Sequence, residues 1–286
     1  MATQSRVFIF GAGKVGAGLG RALERAGYAV TLRAKRLGLP KRPIDASFVI
    51  LAVRDRDLGP VAEEMRARGL VGHRKVTVVH CAGALGPEPL AVLRSAKVSV
   101  AQMHPMISFA SPKLTPSLVR GQLHVDGDPA AERAATSLGK RIGMTPRTIR
   151  GLDRVAYHAA AGLVANGAAA LAAGGVDLLE RAGVDRRTAA AMLGPLLRSV
   201  ADNVEAMGLP EALTGPVRRG DATGVGRHLE TLRKLAPHVV PLYVAASQLQ
   251  LPLARALGEA AAEGFDGIEL VLKGEHGASA AIRGVP

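Results

Sequence analysis

The feature that most constrains this chain is a glycine loop placed between a short apolar run and an amphipathic segment. Residues 7–10 (Val-Phe-Ile-Phe) lead straight into the loop Gly11-Ala-Gly-Lys-Val-Gly16. Apolar residues then recur at helical spacing until Gly27. The chain is therefore predicted to begin with a strand, a glycine loop and a helix, in that order.

This order matches what a dinucleotide phosphate group needs. Gly11 permits a tight turn, Gly13 lets the backbone approach a pyrophosphate, and Gly16 lets the helix pack on the strand. The helix N-terminus then offers free N–H groups and a positive dipole end to the anion. The predicted cofactor-binding residues of the loop are Gly11, Ala12, Gly13, Lys14, Val15 and Gly16. A structural glycine turn, or an S-adenosylmethionine or flavin loop, remains an alternative.

The end of the second predicted strand carries the information about the kind of dinucleotide. NAD sites usually place Asp or Glu there to hold the ribose hydroxyls. This chain instead has Arg33, Lys35 and Arg36, and no acidic residue follows before Asp45. A guanidinium suits a 2′-phosphate, so these residues predict NADP(H) rather than NAD(H). An ordinary basic surface turn is the alternative.

The remaining cofactor contacts are predicted at the ends of the third and fourth strands. Ala52, Val53 and Arg54 end one strand, and Ala82 and Gly83 follow the next. In an open α/β sheet, the carboxyl ends of the strands form the ligand crevice.

The order of segments predicts the fold class α/β, with an N-terminal doubly wound Rossmann domain followed by an all-α C-terminal domain. Strands are predicted at 6–10, 28–32, 48–53, 76–80, 98–103, 123–125 and 145–149, with a helix at 129–142. Helices alone are predicted afterwards, at 153–181, 186–207, 222–235, 238–248 and 252–263. The predicted domains are residues 1–151, residues 152–273 and a fraying tail, 274–286.

Composition narrows the classes of function. The net charge of +13 attracts anions in general, but the basic residues are scattered and aromatics form only 3% of the chain, so no nucleic-acid partner is predicted. No metal site is predicted, because no His-x-x-x-His pair occurs and Cys81 is the only cysteine. Cys81 is interpreted as a packed thiol rather than a nucleophile.

Two features bear on location. No signal-like apolar segment precedes the first strand, so a cytoplasmic location is predicted. The longest apolar stretch, 159–176, is rich in Ala and Gly, which favour membrane insertion only weakly. This stretch is therefore interpreted as a buried helix of a soluble protein, and no membrane partner is predicted.

Several motifs resemble a family of Rossmann-like NADP(H)-binding proteins with a distinctive helical C-terminal domain. Its superfamily includes ketopantoate reductases, β-hydroxyacid dehydrogenases and pyrroline-carboxylate reductases. The motifs are His80-Cys-Ala-Gly83, Gln102-Met-His104-Pro105-Met106, Tyr157-His158 with Asn166, and Leu213-Thr-Gly-Pro216 followed by Arg219-Gly-Asp221 and His228. The resemblance covers almost the whole chain and implies an NADP-dependent oxidoreductase that dimerises through its helical domain.

The resemblance also suggests catalytic residues. His104 would face the nicotinamide ribose or the substrate, and His158 and Asn166 would project from the first helix of the second domain. Thr214 and Arg218 would hold an anionic group of the substrate. The chain departs from the β-hydroxyacid and ketopantoate enzymes at one point, since the Lys-x-x-x-Asn pair that supplies their proton donor is missing.

Three functions are consistent with these residues. The first expectation is NADPH-dependent reduction of a small keto acid, with ketopantoate-like acids as the first guess. An imine reductase of the pyrroline-carboxylate type is the alternative within the same class, because a protonated imine needs no strong general acid. A non-catalytic NADP(H)-binding regulatory protein is the alternative outside it. The expected partners are a small anionic metabolite and a second copy of the chain.

Overall fold

The structure, a computed structural model, describes residues 5–282, with side chains described as far as residue 274. The chain forms two compact units, and the division falls between Leu163 and Val164. Every described strand lies in the first unit, and the second is helical. The predicted boundary at 151/152 falls between the last strand and the following helix, and the compact division comes twelve residues later, inside that helix.

The first unit alternates strands and helices as the apolar pattern predicted. Its strands are β1 (Arg6–Phe10), β2 (Ala29–Arg33), β3 (Phe48–Leu51), β4 (Val76–His80), β5 (Val98–Pro105), β6 (Gln122–Gly127) and β7 (Thr145–Arg147). Its helices are α1 (Lys14–Arg25), α2 (Asp55–Ala67) and α3 (Pro129–Arg141). The predicted fold class is confirmed.

The strands form one sheet in the order β2-β1-β3-β4-β5-β6-β7. The first five strands are parallel, β6 runs antiparallel to β5, and β7 is parallel to β6. The reversal at β6 was not predicted. It follows from the connection between β5 and β6, which contains no crossover helix to carry the chain back across the sheet.

Apolar side chains are buried on both faces of this sheet. In β1, Phe8 and Phe10 pack on the face covered by α2, whereas Val7 and Ile9 pack on the face covered by α1 and α3. This explains why the strand is apolar at consecutive positions. The carboxyl ends of the parallel strands lie at one edge of the sheet, where the loops that follow them can form a binding site.

The second unit is built on three packed helices. The helices from residue 154 onward are α4 (Arg154–Arg181), α5 (Arg186–Met207), α6 (Ala222–Leu235), α7 (Val240–Leu257) and α8 (Ala262–Ile282). The apolar core of the unit comes mainly from α6, α7 and α8. Val225 and Leu229 of α6 pack there with Leu251 of α7 and with Phe265 and Ile268 of α8.

The interpretation of the apolar stretch 159–176 as a buried helix is wrong. The stretch is helical, but Val176 is the only buried residue of α4. Leu163 is 71% exposed and Val164 72% exposed. By length and composition α4 could cross a membrane, and only 6% of its most apolar window is buried. The apolar composition predicted the helix, but it could not show whether other residues bury it.

Two boundaries near the end of the chain also differ from prediction. The sequence predicts that a helix starts at Pro252, but Pro252 lies inside α7, and the residue after α7, Gly258, is in the left-handed region. Such a glycine is a favourable helix end, since it carries no Cβ. The predicted fraying tail, 274–286, is helical as far as residue 282 because α8 continues through it, and residues 283–286 lie outside the described residues.

Candidate functional site

The glycine loop has the shape that its sequence predicts. Gly11 has a φ of 115°, and a Cβ there would overlap the carbonyl oxygen of Ala52. A Cβ on Gly16 would likewise overlap the carbonyl oxygen of Gly11. A Cβ on Gly13 would meet nothing within 4 Å. Two of the glycines are therefore required by the packing of the loop, and the third leaves the start of α1 open to an approaching group.

A cleft of about 450 Å³ lies beside this loop. It is lined by most of the predicted cofactor residues, together with Ala34 and the first turn of α2. The lining residues are Gly11, Ala12, Gly13, Ala34, Lys35, Arg36, Ala52, Val53, Arg54, Arg56 and Asp57. Lys14, Val15 and Gly16 form the first turn of α1.

The Arg33 side chain is engaged in a local contact. Its Nε donates a hydrogen bond to the carbonyl of Gly38 at 2.6 Å, and a terminal nitrogen donates to the carbonyl of Leu37 at 2.7 Å. Arg33 therefore holds the turn that follows β2. It does not line the cleft, unlike Lys35 and Arg36.

Four cationic side chains do line the cleft: Lys35, Arg36, Arg54 and Arg56. Lys35 forms an ion pair with Asp57 at 2.6 Å, and this hydrogen bond lowers the pKa of the Asp57 carboxyl. Because one carboxylate faces four cations, the cleft retains a positive charge suited to an anionic ligand.

A second group of polar side chains lies at the same edge of the sheet, at the ends of β4 and β5. Since β4 pairs with β3 and β5 pairs with β4, this group follows the cofactor cleft along the sheet edge. His80 of β4 pairs in register with Gln102 of β5, and His104 of β5 pairs with His124 of β6.

His104 contacts two side chains from the first turns of α4. Its Nδ1 lies 3.0 Å from the hydroxyl of Tyr157, and its ring lies edge-on to the Tyr157 ring at 5.4 Å. The His158 ring is 5.9 Å away. A Cβ on Gly83 would lie 2.8 Å from Nε2 of His104 and 2.5 Å from Nδ1 of His158. The predicted residues Gly83, His104 and His158 therefore come together at one point.

Beneath this point, a chain of hydrogen bonds connects buried side chains. The Ala82 N–H donates to Nδ1 of His80 at 3.1 Å, so the proton of His80 is on Nε2, which donates to the carbonyl of Gly86 at 2.6 Å. The Gln102 amide donates to the carbonyl of Ala82 at 3.1 Å and accepts from Nδ1 of His124 at 2.9 Å. His80 and Gln102 are fully buried. The hydrogen bonds therefore fix which nitrogen of each buried imidazole carries its proton.

The environment keeps these imidazoles neutral. Burial, followed by repulsion from His158, His124 and His80, lowers the pKa of His104 to about 4. Burial also lowers the pKa values of His80 and His124, and it raises the pKa of the Tyr157 hydroxyl. These three imidazoles are uncharged at neutral pH.

Two further residues, Cys81 and Arg154, lie near this cluster. Burial raises the pKa of the Cys81 thiol to about 12, which agrees with its interpretation as a packed thiol. Arg154, which opens α4, forms an ion pair with Asp126, so its charge is neutralised within the first unit. Arg150 bonds to the same carboxylate and to Glu132.

The predicted catalytic residues of the second unit are Asn166, Thr214 and Arg218. Asn166 and Thr214 are exposed. The Arg218 guanidinium donates to both carboxylate oxygens of Glu259, at 2.7 and 2.6 Å, and to the carbonyls of Glu211 and Leu213. Four of its five N–H groups are thus used within the unit, which is the pattern of a structural arginine rather than of a free anion clamp.

Sequence reasoning did not assign a site role to Tyr157, Gln102 or His124. Tyr157 and Gln102 stood inside the quoted motifs, so their positions were visible but their partners were not. His124 had no local signal, because its place beside His104 depends on the pairing of β5 with the antiparallel β6.

The fold and site together define a class of protein. A glycine loop leads from β1 into α1, a basic cleft lies beside it, and a polar cluster lies further along the same edge of the sheet. This is the arrangement of a Rossmann dinucleotide-binding unit, here followed by a helical unit.

Comparison with known proteins narrows this class. Residues 122–250 match a family described as a domain of unknown function, DUF2520. Among curated protein sequences the chain has no match. The fold is shared with a Bacteroides fragilis protein provisionally described as an NADP oxidoreductase (18% identity, TM-score 0.65, covering 87% of this chain and 98% of that one).

Two structures described as enzymes share the fold with lower TM-scores. Plasmodium falciparum pyrroline carboxylate reductase, solved with NADP bound, is 13% identical (TM-score 0.56, covering 89% and 99% of the two chains). An imine reductase from Pseudomonas sp. is 20% identical (TM-score 0.54, covering 88% and 93%). These structures show that the chain shares the fold of NADP oxidoreductases with a Rossmann unit followed by a helical unit.

Proposed function

We propose that this protein is an NADPH-dependent reductase of a small substrate that carries a C=N bond. One observation carries the choice of substrate class: His80, His104 and His124, which lie at the strand ends beside the cofactor cleft, are all held in their neutral forms. These imidazoles supply no strong acid at neutral pH.

The cofactor proposal is supported by the fit of the residues to an NADP pyrophosphate and 2′-phosphate. The loop would receive the pyrophosphate, since a Cβ on Gly13 meets open space and the start of α1 is free. Arg36, Arg54 and Arg56 offer guanidinium groups to a further phosphate. When bound, NADPH would supply a hydride. The pyrroline carboxylate reductase with the same fold was solved with NADP bound, which agrees with this proposal.

The charge state of the cluster favours an imine. Adding a hydride to the carbon of a protonated C=N bond gives a neutral amine, so no further proton is needed. Adding a hydride to a carbonyl carbon gives an alkoxide, which must take up a proton from an acid. The neutral imidazoles therefore suit the first reaction better than the second. Their lack of charge also removes one source of repulsion against a cationic substrate.

Reduction of a keto acid, the first expectation from the sequence, is kept as a second candidate for one reason. His158 is exposed, and its Nδ1 approaches the same point above Gly83 as Nε2 of His104. An exposed imidazole can exchange protons with solvent and could protonate an alkoxide. The net charge of +13 would also favour the approach of a small anionic metabolite.

The test begins with the cofactor. We expect NADPH to bind more tightly than NADH, and Arg36→Ala and Arg54→Ala to weaken NADPH binding by about tenfold each while leaving NADH binding unchanged. Lys113→Ala serves as a matched control, because this exposed cation does not line the cleft. Equal affinity for the two nucleotides would contradict the proposal for the 2′-phosphate.

A substrate screen then separates the functions. Turnover of cyclic imines with NADPH, and none of keto acids, is expected. Turnover of keto acids that His158→Ala abolishes would favour the second candidate. NADPH binding without turnover of either class would leave the non-catalytic regulatory protein as the better description.

We also propose that the protein forms a homodimer through α4 and α5 and acts in the cytoplasm. Met192, Leu196, Val200 and Val204 recur every four residues on α5 and are all exposed. Charged residues such as Arg198 and Asp202 lie between them, which suits a protein partner better than a lipid interior. A second copy would offer the same stripe in return. Light scattering in the absence of detergent should give twice the chain mass.

A further inference from the structure

We propose that Tyr157 sets the tautomer of His104, so that a neutral His104 presents its Nε2–H beside Gly83 as a hydrogen-bond donor for a ligand. Tyr157 would act as a positioning residue and His104 as the contact. The part concerning the substrate rests on the proposed function, whereas the part concerning the tautomer can be tested without any substrate.

The direction of the hydrogen bond follows from the chemistry of the two groups. The Tyr157 hydroxyl lies 3.0 Å from Nδ1 of His104, and the described residues offer this hydroxyl no other hydrogen-bond partner. A phenol is a good donor, and the bare nitrogen of a neutral imidazole is a good acceptor. Tyr157 therefore donates to Nδ1, and the single proton of the neutral ring is placed on Nε2.

The position of Nε2 places this proton beside Gly83, where a ligand can accept a hydrogen bond from it. Nε2 would lie only 2.8 Å from a Cβ on Gly83, so the third residue after the end of β4 must be a glycine for the imidazole to approach the backbone. His104 itself lies in β5 and pairs in register with His124 on β6, which limits movement of its backbone. The donor is therefore held on a strand rather than on a mobile loop.

The titratable and charged groups near His104 come from β4, β6 and α4, and the three imidazoles among them disfavour a charge on its ring. They include His80 on β4, His124 on β6, and Arg154, Tyr157 and His158 on α4, with Asp126 paired to Arg154. A proton added to the ring would meet three other imidazoles in a partly buried place. His104 is thus a donor whose charge does not change between about pH 5 and pH 8, given its pKa of about 4.

Such a donor recognises an uncharged or anionic acceptor rather than transferring a proton. Suitable acceptors are a carbonyl oxygen or a carboxylate oxygen next to the reacting bond of a substrate. A fixed N–H aimed at an acceptor stabilises it without reorganisation, which is how preorganised donors contribute to catalysis. His104 would therefore orient the substrate, and the rate should show no step that arises from its titration above pH 5.

The chain contains its own control for the tautomer. In the second unit, Nδ1 of His228 lies 2.9 Å from the hydroxyl of Tyr243, so the same pair of groups occurs at almost the same distance. Tyr157→Phe should therefore change the tautomer of His104 and leave His228 unchanged, whereas Tyr243→Phe should do the reverse.

The experiment is histidine-selective nitrogen-15 NMR on the whole protein at pH 7. We expect His104 to show a protonated Nε2 and a bare Nδ1 in the wild type, and a mixture of tautomers in Tyr157→Phe. A protonated Nδ1 in the wild type would overturn the proposal, and so would an unchanged tautomer in Tyr157→Phe. The wild-type spectrum alone decides the matter if the variant does not fold.

Kinetics with an accepted substrate test the second part. His104→Leu should lower kcat/KM by about 100-fold, the size expected for a lost donor. His104→Asn, which keeps a neutral N–H donor, should recover part of this loss, and its pH profile between pH 5 and pH 8 should have the same shape as that of the wild type. Equal loss in both variants would overturn the role as a donor. Failure of every substrate would count against the proposed function alone, since the NMR result would stand.

Discussion

The neutral state of His104 makes a quantitative prediction about stability in acid. Its pKa is about 4 in the folded protein, against an ordinary value of 6.5. Between these two values the unfolded chain binds more protons than the folded one, so folding loses stability as the pH falls through this range. The loss from this one residue between pH 7 and pH 5 is about 2 kcal/mol, at about 1.4 kcal/mol per pKa unit.

His104→Asn provides the comparison, because asparagine does not titrate. His80 and His124 also have lowered pKa values, and they destabilise both proteins alike as the pH falls, so their contribution cancels in the difference. Wild type should therefore lose about 2 kcal/mol more than the variant between pH 7 and pH 5.

Hydrogen exchange of the β4 and β5 amides measures this difference at the site itself. The chain has no tryptophan, so intrinsic tryptophan fluorescence is not an option. Opening free energies at the two pH values follow from the exchange rates after correction for the intrinsic rate. A difference between wild type and variant that changes by less than about 0.5 kcal/mol with pH would refute the assignment of a low pKa to His104.

Three further predictions follow from the geometry. Gly11→Ala should lower the free energy of unfolding by about 2 kcal/mol or more, because its Cβ would meet a backbone carbonyl. Gly13→Ala should lower it by less than about 1 kcal/mol and should mainly weaken NADPH binding. Urea titrations measure the first effect and nucleotide titrations the second. Arg218→Ala should lower the Tm of the second unit in calorimetry and leave the KM of an accepted substrate unchanged, and a raised KM would support its predicted role as a substrate contact. If the proposed dimer forms through α5, Leu196→Glu should give a monomer in light scattering, and a variant that stays dimeric would place the interface elsewhere.

The parts of the site that depend on local sequence could be predicted. The glycine loop is an example, because a strand, a turn with Gly11 and a helix start are set by neighbouring residues. His104 and His158 could be proposed as site residues because one lies near a strand end and the other at a helix start. For such residues, position along the chain carries most of the information.

The parts that depend on distant partners could not be predicted. Arg218 looked like an anion clamp, but Glu259, 41 residues away, occupies its guanidinium. Arg33 looked like a phosphate contact, but the turn after β2 brings two carbonyls to it. The exposure of α4 is a similar case. Its apolar composition favours burial, but composition does not show whether other parts of the chain pack against the helix.

The buried hydrogen bonds from His124 to Gly86 have a consequence for the mutations that this region can accept. Gln102, Ala82 and His80 each accept a hydrogen bond on one side and donate one on the other, so the series has a direction from His124 to Gly86. Gln102→Glu would change a single group, yet an ionised carboxylate has no proton to offer the carbonyl of Ala82. A nearly isosteric substitution at position 102 would therefore leave the buried carbonyl of Ala82 without a donor. It would destabilise the fold through this lost hydrogen bond and not through a change in side-chain size.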